Sequence, residues 1–125
     1  MRFQKLDSEY ENLRVRWRVA WERKCQQSFH NRLGMWRNYL EDYREQAEEH
    51  ADRYSYEVRR RAMLTLLQSE AAVIEPAELT LLHTMDQIVR QILIPDRFIW
   101  GESLAGGFPA EEYWYLYGYL PKGIN

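Results

Sequence analysis

Glycine and proline are almost missing from the first half of the chain: no proline precedes Pro76, and Gly34 is the only glycine before Gly101. These two residues are the strongest helix punctuation, so the chain is free to be helical from about residue 8 to residue 70. The apolar positions use that freedom. Leu6, Tyr10, Leu13, Trp17, Trp21, Cys25, Phe29 and Leu33 follow one another at steps of three or four. Trp36, Leu40, Tyr43, Ala47, Ala51, Tyr54, Val58 and Ala62 continue the series. Such steps gather side chains on one helical face and break strand alternation. From Trp17 to Leu33 every step is four, so the stripe drifts around the helix, which favours a bundle over a long coiled coil. Asp7 and Ser8 offer N-cap oxygens, with Glu9 and Glu11 at the positive end of the dipole.

Charge is segregated along this region. Residues 1–40 hold nine Arg or Lys against four acids, whereas residues 41–57 hold seven acids against two arginines. An antiparallel fold about Gly34 sets the basic stretch 14–24 against the acidic stretch 41–52, which selects one orientation over its reverse. A hairpin turning at Gly34 and an antiparallel homodimer of continuous helices crossing there produce the same pairing. Asn31, Arg32 and Leu33 before Gly34 suit a helix C-terminus. The hairpin is favoured because it lets a short chain bury its own stripe.

From Ala62 to Ile74 the residues are apolar nearly all round, including Ala71, Ala72 and Val73, and Glu75-Pro76 separates this stretch from a helix over 76–93 that Pro95 ends. Residues 62–94 read as an antiparallel helical pair at the centre of the core. Beyond them, five glycines and Pro109 and Pro121 break regular structure, leaving loops with a helical turn or two near 110–116. The expected class is all-α. It is an antiparallel helical bundle or long-helix hairpin with an irregular, aromatic-rich C-terminal segment, in one domain over residues 1–125.

No motif in the sequence supports catalysis, a metal or a cofactor. His30, His50 and His83 are widely spaced, without the Glu-x-x-His pairs of di-iron bundles, and His83 with Asp86 supplies two ligands at most. Serines lack nucleophile motifs, and Gly106-Gly107 lacks the strand and Lys-Ser/Thr of a phosphate loop. Cys25 is the only cysteine, so no internal disulfide forms, and it reads as a small core residue. No apolar run reaches the roughly 20 residues of a membrane span. The N-terminus has no apolar leader, so the expected setting is cytoplasmic, away from the membrane.

The aromatics carry the functional expectation. Of the eighteen, ten lie in residues 1–62 and eight in residues 98–120, with none between. Rings at 113, 114 and 115 cannot all face one way, and Trp and Tyr dominate interface hot spots. The sequence therefore points to a non-enzymatic interaction protein, a subunit, adaptor or assembly factor binding another protein or itself. The expected contacts are Trp100, Phe108, Tyr113, Trp114, Tyr117 and Tyr119, followed by Trp17, Trp21 and Trp36. The plainer expectation is that the C-terminal rings cap the core.

Nucleic-acid binding is the alternative, through Arg14, Arg16 and Arg18 and through Arg59, Arg60 and Arg61, since cations neutralise phosphate and rings stack on bases. A net charge of −2, with acids close to each cluster, weighs against it. Third, Arg23 with His30, and Arg44 with His50, have spacings similar to the Arg–His motif of HEPN-type ribonucleases. That resemblance covers two residues, is met by chance in an arginine-rich helix, and lacks the polar residue usually found after the arginine, where Lys24 and Glu45 stand.

Overall fold

The longest element, α1 (Arg2–Glu45), is a single helix of 44 residues, about 66 Å long at 1.5 Å per residue. It is seen in a computed structural model that describes residues 2–70 and 74–123, with the backbone alone for residues 2–6. The helix is already formed at Asp7 and Ser8, so these residues are not its N-cap. It also runs unbroken through Gly34, where an added Cβ would meet nothing within 4 Å. The expected hairpin at Gly34 is therefore corrected. A mid-helix glycine costs only about 1 kcal/mol, less than splitting the buried face to which Phe29, Leu33 and Trp36 belong.

The break falls instead at Gln46, with φ −141° and ψ 70°. A short helix, α2 (Ala47–His50), and a 3-10 turn (Ala51–Arg53) reverse the chain into α3 (Tyr54–Glu70). Tyr39 Oη donates to the His50 carbonyl at 2.9 Å and ties down this turn. Reversal at residue 46 brings α3 back along the second half of α1, where Tyr54 and Val58 pack with Trp36, Leu40 and Tyr43. The basic stretch 14–24 thus lies beyond the acidic stretch 41–52 and does not pair with it. The helix is continuous through Gly34, as the homodimer alternative expects, but the chain itself covers the stripe on either side of that residue, at Leu33 and Trp36.

Helix α4 (Pro76–Ile92) starts with Pro76 in its first turn and ends as Leu93 turns extended. Arg61 on α3 reaches Asp86 on α4, and His30 on α1 hydrogen-bonds Glu78 at 2.7 Å. The closest helix pair is α1 with α3 rather than the expected pair within 62–94. Ala71, Ala72 and Val73 lie outside the described residues.

The C-terminal segment is more regular than its glycines suggest. Strand β1 (Ile94–Phe98) pairs antiparallel with β2 (Tyr117–Tyr119), aligning Ile94 with Tyr119 and Pro95 with Gly118. Gly118 is needed there, because a Cβ would run into the Ile94 carbonyl oxygen. Two 3-10 turns, Glu102–Gly107 and Trp114–Leu116, lie between the strands. The second lays Tyr115 and Leu116 into the core, both fully buried. Tyr54 Oη donates to the Tyr115 carbonyl at 2.5 Å, and Tyr43 Oη donates to the Pro121 carbonyl at 2.6 Å. The fold is all-α apart from this two-stranded ribbon.

Candidate interaction surface

One apolar stripe serves two parts of α1 differently. From Cys25 onward it is buried: Phe29 and Trp36 have no exposed surface. Before Cys25 it stands in the open, and every side chain from residue 7 to residue 21 is exposed. Trp17 is 72% accessible, Tyr10 62%, Leu13 54% and Trp21 50%. Their spacings of three, four and four place all four on one face. Contiguous exposed apolar surface of this kind is a hallmark of an interaction site.

The reach of the returning chain explains the split. Side chains on every face of α1 are exposed from residue 7 to residue 21, so this half of the helix projects past the core and carries the Trp17 face with it. Among the described residues, no element covers it.

The expected C-terminal contact residues divide. Tyr113 is buried, as is Trp36 on α1, so neither offers a contact surface. Trp100, Phe108, Trp114 and Tyr117 are half-buried and hold one another or the core. Trp100 stands edge-on to Phe108 at 5.5 Å and donates from Nε1 to the Ser55 carbonyl at 2.9 Å. Phe98 stacks on Phe108 at 5.7 Å, Tyr117 Oη donates to the Phe108 carbonyl, and the Arg90 guanidinium lies 3.8 Å from the Trp114 ring centroid. These rings cap the open end of the helices. Tyr119 alone of the C-terminal group is well exposed. Of the nine expected contacts, Trp17, Trp21 and Tyr119 stand at the surface. Tyr10 and Leu13 stand there too, although a tyrosine and a leucine on a helical stripe read as core in the sequence; only the position of the turn decides otherwise.

The two arginine clusters do not combine. Arg14, Arg16 and Arg18 are exposed on the open half of α1, with Arg14 paired to Glu11 at 3.2 Å. Arg59 and Arg60 border a hollow with Arg32 and Met35. Arg18 and Arg32 are fourteen residues apart on one helix, so these groups are separated by about 21 Å. Arg59 stacks on Tyr56, and Arg60 pairs with Glu57 at 2.6 Å. Arg61 is buried, bonded to Asp86 and Thr65, with its guanidinium 4.5 Å from the Tyr115 centroid. Arg61 is therefore corrected from a phosphate contact to a core residue.

The histidines are held by neighbours: His30 by Glu78, and His50 by Arg53 Nη1 at 2.8 Å. Arg44 and His50 stand on opposite sides of the break at Gln46. Among the described residues, no group of three or more His, Cys, Asp or Glu is placed to hold a metal ion. No described helix is long and apolar enough to cross a membrane. No protein-family model, no curated protein and no solved structure matches the chain.

Proposed function

We propose that this is a non-enzymatic interaction protein, a subunit or assembly component, that engages a protein partner along residues 10–21 of α1. The carrying observation is the stripe itself, buried by the chain's own core from Cys25 onward and exposed from Tyr10 to Trp21. Helices draw most of their stability from packing an apolar face, so an uncovered segment of this length is stabilised by a partner that buries it. Trp and Tyr anchors with an arginine-rich flank are the composition of binding hot spots. The capped C-terminal rings take second place.

Placing a benzophenone photo-crosslinking residue at Trp17 in the full chain, inside the producing cell, tests this reading. The expected result is a discrete adduct at position 17 that is lost with Trp21→Glu. Placement at Trp114 or at the exposed Asn38 should give none. No adduct at 17 above the Asn38 background defeats the reading.

Nucleic-acid binding is the second reading, supported by the exposed Arg14, Arg16 and Arg18 beside Trp17. Titration with labelled RNA and DNA at falling salt tests it, because phosphate-driven affinity is greatest at low salt. No binding there removes it.

A further inference from the structure

We propose that the occupant of the open stripe is a second copy of this chain, with residues 7–24 of the two α1 helices paired antiparallel. This rests on the reading above that the stripe is an interface. Three observations point to self-pairing in that direction.

The first is charge. Residues 7–13 carry Asp7, Glu9 and Glu11 and no cation, residues 14–17 carry Arg14, paired with Glu11, and Arg16, and residues 18–24 carry Arg18, Arg23 and Lys24 against Glu22. An antiparallel alignment lays the acidic end of each helix along the basic end of the other. A parallel alignment sets acid on acid and base on base, which flanking charges oppose.

The second is the stripe. Antiparallel pairing centred between Val15 and Arg16 sets Tyr10 opposite Trp21 of the second copy and Leu13 within one residue of its Trp17. Every large apolar residue of the face then has a partner, and the pattern is its own complement under a twofold axis, as an isologous contact requires. Tyr10 to Trp21 spans eleven residues in three turns, a period that keeps two nearly straight helices in contact with a slight right-handed supercoil.

The third is position. The stripe is buried by the chain's own core from Cys25 onward, so the overlap is confined to about 27 Å of helix that projects beyond the core. The pairing leaves each core intact, because it uses no residue that the chain already buries.

The test is solution mass and label distance on the full chain. Light scattering should give twice 15.2 kDa, and Trp17→Glu should return the mass to 15.2 kDa with its near-ultraviolet circular dichroism largely kept. Spin labels at Ser8→Cys, in a Cys25→Ser background, should lie about 24 Å apart in the antiparallel dimer and about 10 Å apart in a parallel one. A short label distance, or a dimer that survives Trp17→Glu, overturns the proposal. A monomer up to millimolar concentration overturns it too. In that case a position-17 adduct whose mass differs from two copies leaves the partner reading standing, and the absence of any adduct ends both.

Discussion

Arg61 and Asp86 form a two-pronged ion pair between α3 and α4, Nε to Oδ1 and Nη2 to Oδ2, each at 2.8 Å. Both side chains are largely withdrawn from solvent, and the arginine also donates to Thr65 and faces the Tyr115 ring. Removing one member strands the other charge in a poorly solvated place.

Asp86→Ala is therefore expected to destabilise the protein by about 3–5 kcal/mol. The double variant Arg61→Met/Asp86→Leu should lose much less, because no unpaired charge remains. Urea unfolding of the three proteins measures this, and equal losses in both variants would contradict the assignment.

Gly34→Ala is expected to stabilise the fold by about 1 kcal/mol, since the residue is exposed in an uninterrupted helix with open space at its Cβ. A turn at Gly34 would reverse the sign, because alanine resists the left-handed conformation that ends helices. The shift in urea midpoint at constant slope reports which holds.

The buried tyrosines set an alkaline limit. Burial pushes the Tyr115 phenol up to about 12 and raises Tyr39 and Tyr54 as well. Unfolded, these phenols ionise near 10, so above that pH the unfolded chain binds fewer protons than the folded one. Stability is whole below pH 10 and falls as the pH rises through the window from about 10 to 12. Absorbance titration of the phenolates should show Tyr39, Tyr54 and Tyr115 ionising only together with loss of the near-ultraviolet signal. Smooth ionisation of every tyrosine before unfolding would contradict it.

Helix content was legible because it is written in spacing. Steps of three and four from Tyr10 to Ala62 need no knowledge of tertiary structure, and Pro76 marks a helix start by local sterics alone. The turn was not legible. The stretch Arg44, Glu45, Gln46, Ala47, Glu48 contains no glycine or proline and has good helix propensity; it breaks because α3 must return along α1 to bury Trp36. Long-range packing outweighs a weak local preference there.

The same blindness affected the candidate surface. Trp17 and Trp36 look alike in the sequence, both aromatic and both on the stripe. Which one stays exposed depends on how far back the chain returns. The ribbon of β1 and β2 was missed because two short strands rich in glycine and proline resemble loops. The destination of the C-terminal rings rests on hydroxyl-to-carbonyl bonds that span 61 and 78 residues, and no local pattern announces these.

Those two bonds also order events in time. Chains emerge from the ribosome N-terminus first, so α1 through α4 are complete before Tyr115, Leu116 and Pro121 exist. Until then the rings of Tyr43 and Tyr54 lack their cover and their hydroxyls lack their acceptors. The core is therefore closed only once residues 115–121 have emerged, through contacts of long sequence separation, the kind that folds slowly. During that interval the nascent helices are the stage at which a chaperone would find the most to hold.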